Sequence, residues 1–164
     1  DLAGVVRDLL HETGVDASLL EIEVTESAVI ADADAGIAAL EELRALGIRL
    51  SLDDFGTGYS SLSYLRTLPI SGVKIDRSFS TSLGEDGRDS ELVASIVAMA
   101  KVLGLSVVAE GVETEEQAEL LAELGCDELQ GYLFGGPVPS ADARRLLAEG
   151  SVPARVKRKS DSRI

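Results

Sequence analysis

Cysteine is almost absent from this chain: Cys126 is the only one in 164 residues. A disulfide framework is excluded, and such usage fits a reducing compartment. Cys126 stands just before an expected strand, where a small buried apolar group is the simplest reading. Histidine is as scarce. The single copy, His11, falls in an expected helix and reads as a surface residue rather than a ligand. No stretch reaches the roughly 18 apolar residues of a membrane span, and no signal peptide is visible. Cations are few, with 15 Lys and Arg against 29 Asp and Glu and a net charge of −14. Phosphate contacts on DNA or RNA polymers need those cations, so a nucleic acid polymer is disfavoured as the main partner. A small phosphate ligand remains open if metal ions supply the positive charge.

What is present is enough for one domain with a real core: 45% apolar residues, sixteen glycines for tight turns and only four prolines. The charge is uneven. Residues 155–163 hold Arg155, Lys157, Arg158, Lys159 and Arg163 against one acid, Asp161, which leaves the rest near −18. We therefore divide the chain into a domain, 1–149, and a basic tail, 150–164. The tail reads as a solvated, disordered terminus, with a weak anchor to an anionic surface as the alternative.

Hydrophobic periodicity alternates between strand and helix. Strands are expected at Leu19–Val24, Ile48–Leu52, Gly72–Ile75, Leu105–Ala109 and Asp127–Gln130. Helices are expected at residues 2–12, Ala33–Leu46, Ser60–Arg66, Ser90–Leu103, Thr114–Leu124 and Ser140–Ala148, with Gly47 and Gly104 as stops. Ile37, Leu40 and Leu43 mark the inner face of the second helix. Leu92, Val93, Ile96, Val97 and Ala100 mark that of the fourth. Thr114 to Gln117 is a capping pattern. Strand–helix units of 22 to 33 residues imply a parallel sheet with right-handed crossovers. Two architectures compete, an open doubly wound sheet and a (β/α)₈ barrel. Polar residues at the ends of all five strands favour the barrel. A barrel of that kind needs about eight strands, so the expectation is an incomplete (β/α)₈ TIM-type barrel with its N-terminal strands missing.

The strand-closing residues define the candidate site. They are Glu23 with Glu26 beyond it, Asp53 and Asp54, Lys74 with Asp76 beyond it, Glu110 with Glu113 beyond it, and Gln130. Converging carboxylates repel unless cations neutralise them. Hard oxygen donors without cysteine or histidine select Mg²⁺ or Mn²⁺ over zinc. Two such ions would suit in-line attack on a phosphodiester, with a lysine beside them orienting the water. Each piece has a plain alternative: Glu26 and Glu113 as helix caps, Lys74 as a snorkelling lysine, Gly56 and Gly58 as turn glycines. Agreement across five strands is what favours a site.

At these residues the chain strongly resembles the EAL domain family, bacterial phosphodiesterases that linearise cyclic di-GMP to pGpG. The motifs are Glu21–Ser27, Asp53–Leu62, Val73–Phe79, Ala109–Thr114 and Gln130–Phe134, and the likeness runs from about residue 2 to 148. The resemblance implies that Glu23 binds a first metal, that Asp53 bridges two, and that Asp54 and Glu110 hold the second. It groups Lys74, Glu26 and Glu113 as catalytic, Lys74 positioning or activating water. Glu26 also looks like the anchor of the loop Phe55, Gly56, Thr57, Gly58, Tyr59, Ser60 and Ser61, which in this family couples dimerisation to metal binding. Glu113, Gln130 and Asp76 look like supports behind the ligands. The implied ligand is a cyclic dinucleotide, the implied assembly a homodimer, and the implied setting the bacterial cytoplasm, with room for a sensor or cyclase domain fused upstream.

The departures are equally specific. No Glu-Ala-Leu occurs, the asparagine ligand of another early strand is absent, and Gly135-Gly136-Pro137 lacks the basic residue the family often places before the proline. These 164 residues alone are therefore expected to turn over substrate poorly. A non-catalytic scaffold that binds cyclic di-GMP or dimerises is the alternative. An enolase-like lyase would share strand-end carboxylates and lysine but leaves the Phe55–Ser61 loop unexplained.

Overall fold

In a computed structural model of the chain, five parallel strands form one sheet in the order β1-β2-β3-β4-β5. The structure describes residues 1–25, 28, 33–56, 65–81, 83 and 88–150. Helix α1 (Leu2–Thr13) leads through a 3₁₀ turn to β1 (Glu21–Thr25), and α2 (Ala33–Ala45) connects to β2 (Arg49–Phe55). Next come β3 (Gly72–Ile75), a short helix α3 (Arg77–Thr81), α4 (Arg88–Val102) and β4 (Ser106–Ala109). Helix α5 (Glu115–Leu124), β5 (Glu128–Leu129) and α6 (Ser140–Glu149) complete the described chain. A strictly sequential parallel order never reverses, so it lacks the switch point of a doubly wound sheet. This is the α/β winding of a TIM-type barrel wall.

Strand parity explains the layering. Successive side chains point to opposite faces. Leu50, Leu52, Val73, Ile75, Val107 and Ala109 lie on one face, each at most 1% exposed. Leu40 and Leu43 of α2, Val93, Ile96, Val97 and Ala100 of α4, and Leu121 of α5 belong to the same core. Each such aliphatic burial contributes about 1.5–3 kcal/mol. The other face carries Glu21, Glu23, Arg49, Ser51, Asp53 and Lys74. Arg49 and Glu21 pair across it at 3.4 Å.

Several local expectations need correction. Strand β2 runs three residues past Leu52, through Asp53 and Asp54 to Phe55. Phe55 is buried and pairs with Ile75 of β3, so the ladder outlasts the apolar run. Leu92 is exposed; the inward face of α4 turns on Val93, Ile96, Val97 and Ala100 instead. Helix α3 was not expected, because five residues carry too little periodicity to register. Asp76 holds its start by accepting from the Ser78 backbone N–H at 3.0 Å. The capping box of α5 is as the sequence suggests. Gln117 N–H donates to Thr114 Oγ1 at 3.2 Å, and Thr114 N–H donates to Gln117 Oε1 at 3.1 Å. Cys126 is buried and His11 exposed. The expected helix Ser60–Arg66 lies largely outside the described residues, and the tail from 151 wholly so. Among the described residues no helix is long and apolar enough to cross a membrane.

Candidate active site

The second strand ends irregularly. Leu52 pairs with Val73 and Phe55 with Ile75, so β2 spends one residue more than β3 over the same stretch. The extra residue makes a bulge at Asp53–Asp54, and Asp54 adopts φ 55°, the left-handed region. Aspartate is among the few side chains that tolerate that conformation. Bulges bend a strand end and re-aim its side chains. This one breaks the alternation, which would otherwise put adjacent aspartates on opposite faces.

Lys74, the third residue of β3, lies at the centre of a cluster. Its side chain is 7% exposed, and Nζ is 2.6 Å from Glu23 Oε1 of β1 and 3.8 Å from Asp53 Oδ1 of β2. It also pairs with Glu110, just past β4. Burial draws the ammonium pKa down. Hydrogen bonds to Glu110 and Glu23, and their charges, outweigh burial and leave it above the usual lysine value. Lys74 is thus a fixed cation and a donor at neutral pH. Carboxylates from three other strands or strand exits meet at this one nitrogen.

The remaining predicted residues fall into four groups. Asp54 is exposed, one residue beyond the cluster. Asp76 is committed locally. Its carboxylate accepts from the Ser78 hydroxyl and backbone N–H, which holds its pKa below the ordinary aspartate value. Gln130 and Glu113 are exposed. The backbone of Gln130 ties the rim, donating to Ala109 O at 2.8 Å and accepting from Val112 N–H at 3.0 Å. Glu113 gives its backbone N–H to Gln117 Oε1 at 2.8 Å, next to the α5 cap. Phe55 and Gly56 are described; Glu26, Thr57, Gly58, Tyr59, Ser60 and Ser61 lie outside the described residues. Ser78 was not anticipated, although an aspartate two residues before a serine is a recognisable local cap.

The donors suit a hard divalent cation. All are carboxylate oxygens, and Asp53 Oδ1 is buried with no hydrogen-bond partner among the described residues. Its 3.8 Å separation from Nζ exceeds hydrogen-bonding range. A buried charged oxygen left unpaired is costly, and a cation would satisfy it. As the side chains stand, no three acidic, histidine or cysteine groups among the described residues enclose an ion. Lys74 instead draws Glu23 and Glu110 to itself.

The sequence profile of the EAL domain matches residues 2–137. This chain belongs to the EAL domain family. It is 51% identical over 147 residues to the bifunctional diguanylate cyclase/cyclic di-GMP phosphodiesterase MucR of Pseudomonas aeruginosa, covering 90% of this chain and 21% of MucR. The MucR phosphodiesterase in complex with c-di-GMP superposes with a TM-score of 0.82 at 50% identity, over 87% of this chain and 57% of that one. The EAL domain of Mycobacterium smegmatis DcpA gives 0.86 at 40%, over 92% and 68%. A manganese/cyclic di-GMP complex of Klebsiella pneumoniae BlrP1 gives 0.77 at 39%, over 84% and 35%. The chain thus spans about a fifth of the length of its curated relative MucR. These EAL neighbours share the TIM-barrel architecture that the sequential sheet represents.

Proposed function

We propose that this EAL domain serves the hydrolysis of cyclic di-GMP to linear pGpG. The observation that carries the reading is the meeting of Glu23, Asp53 and Glu110, from three strand ends, on the buried Lys74 ammonium. Glu23, Asp53, Asp54 and Glu110 would hold Mg²⁺ or Mn²⁺. Such a cation, when bound, neutralises the carboxylates and stabilises charge developing on the phosphodiester. Hydrolysis joins a water oxygen to phosphorus and breaks the bond from phosphorus to the 3′ oxygen. That oxygen takes up a proton, and the phosphate stays on the 5′ side. Lys74, charged and held from several sides, orients the water and the phosphate oxygens by donating hydrogen bonds. Positioning of this kind supplies much of the acceleration in phosphate chemistry. Glu26, Glu113, Gln130 and Asp76 are proposed to support the ligands and the Phe55–Ser61 loop.

The open side of the cluster bears on rate. Strand β1 is a sheet edge among the described strands, and the Glu23 side chain is 48% exposed. Water on that side weakens every electrostatic contact. The 164 residues alone are therefore expected to hydrolyse slowly. The test incubates the chain, and the MucR phosphodiesterase as the comparison, with Mn²⁺ and cyclic di-GMP and quantifies pGpG. In this chain Lys74→Met should lower whatever turnover is measured by about 10²–10⁴. Unchanged turnover in that variant would refute the assignment.

A specific feature supports a second reading, in which the unit binds ligand or associates without catalysis. Leu2, Val5 and Leu9 are more than half exposed and share one side of α1. Exposed apolar stripes mark association surfaces. Light scattering, together with cyclic di-GMP titration with and without metal, separates the two readings.

A further inference from the structure

We propose that the short helix α3 is a wedge that positions the Lys74 cluster, acting through the Phe79 ring on one side and the backbone and Cβ of Arg77 on the other. The proposal deepens the hydrolytic reading of that cluster and takes its functional meaning from it.

Helix α3 begins three residues after Lys74 and is fastened to the end of β3. Asp76 accepts from Ser78, and Phe79 N–H donates to Asp76 O at 3.1 Å. On one side it meets the exit of β2. Gly56 has φ 100°, and a Cβ there would lie 2.8 Å from Phe79 Cε2, 3.0 Å from its Cζ and 3.3 Å from Ile96 Cδ1. On the other side it meets the exit of β4. Gly111 has φ 68°, and a Cβ there would lie 2.4 Å from Arg77 Cβ and 3.1 Å from its Cα. Both contacts leave room only for glycine.

Two members of the cluster, Asp53 and Glu110, stand close to these glycines in the chain. Asp53 and Asp54 precede Gly56 by three and two positions, and Glu110 immediately precedes Gly111. Between Leu52 and Gly56 the backbone takes left-handed conformations at Asp54 and again at Gly56. Such a conformation at a non-glycine persists only where the surroundings fix it. Buried Phe55 pins the segment from within, and the Phe79 ring closes it from the far side. Glu110 is held similarly, its backbone N–H donating to Ile75 O at 3.1 Å while Gly111 rests on Arg77. Two of the three carboxylates paired with Lys74 are therefore braced by one helix that touches neither of them in an ion pair. Glu23 stands on β1, which is separated from β3 by β2. Phe79 and Arg77 are positioning residues, not catalytic ones.

The test uses the complete 164-residue chain, without metal or nucleotide, and follows amide hydrogen exchange and the Lys74 side-chain ammonium resonance. In Phe79→Ala, exchange from Leu52 to Gly56 should accelerate about tenfold more than exchange in β1 and β4. The Lys74 resonance should shift. Phe79→Leu should show the same pattern at smaller amplitude, and it carries the test if the alanine variant does not fold. Arg77→Ala keeps the Cβ and should leave Glu110 undisturbed, whereas Gly111→Ala should displace the Glu110 amide. A uniform acceleration throughout the sheet would make Phe79 ordinary core packing and overturn the proposal. So would an unchanged Lys74 resonance in a folded Phe79 variant. Turnover is scored separately: absent pGpG production with this local pattern intact removes the hydrolytic reading and leaves the wedge.

Discussion

The two faces of the same strands obey different rules. On the helix-covered face Leu50, Leu52, Val73, Ile75 and Val107 are at most 1% exposed and belong to one hydrophobic core. On the opposite face Glu21, Arg49, Glu23, Asp53 and Lys74 make ion pairs, and a buried carboxylate oxygen stays without a hydrogen bond. Alternation along each strand sends one set to the core and the other to the site, a separation of one residue. Stability resides in the first set. The second set tolerates strain and a carboxylate oxygen without a hydrogen bond because the first holds the backbone still.

That contrast can be broken most severely from the core. Leu52→Ala should cost about 3 kcal/mol, read by urea denaturation, because it leaves a cavity under a fully buried side chain. Lys74→Met should cost about 2 kcal/mol by leaving Glu23, Asp53 and Glu110 to repel one another, and high salt should recover part of the loss. A loss in Lys74→Met larger than in Leu52→Ala would mean that the charged face also carries the stability. Asp127→Ala should cost about 1 kcal/mol, since its carboxylate accepts from Val107 N–H at 2.8 Å as well as from Lys101. Lys101→Ala should cost at most about 0.5 kcal/mol, because that pair is exposed.

A smaller effect depends on pH. Ser78 lowers the Asp76 pKa, through its hydroxyl first and its backbone N–H second. A depressed carboxylate pKa stabilises the fold above the unfolded-state value of about 3.9 and loses that contribution as pH falls through the folded value. Thermal melts should therefore show Ser78→Ala with a shallower loss on the acid side than the parent chain. The smallest change is expected at Ser51→Ala. Its hydroxyl oxygen is buried without a hydrogen-bond partner among the described residues, so removing it should be neutral or slightly stabilising. A clear destabilisation would show that Ser51 has a partner, such as an ordered water, inside the sheet.

Much of this arrangement was legible in the residues. Gly72–Ile75 reads as a strand from its apolar run and is one. The capping box at Thr114 is a four-residue pattern, and local patterns survive folding. Glu23, Asp53, Lys74 and Glu110 could be grouped because each lies near the C-terminal end of a strand, and parallel strands align their ends. Other features were not legible. The bulge at Asp53–Asp54 arises from mismatch with β3, which β2 alone does not encode. Leu92 belongs by spacing to the inner face of α4, but in the fold it is exposed while Val93, Ile96, Val97 and Ala100 are buried. The contact of Phe79 with Gly56 joins residues 23 apart, and no local pattern announces it.

The sequence by itself determined the alternation of strand and helix, the polarity of each strand face and the family motifs. These follow from periodicity and residue type, which act over a few neighbours. Only the tertiary structure decided which carboxylates share the Lys74 ammonium, that Asp54 is turned into the left-handed region, and that α3 lies between the exits of β2 and β4. Those outcomes depend on distances between segments distant in sequence, fixed only when packing sets strand register and the approach of one backbone to another.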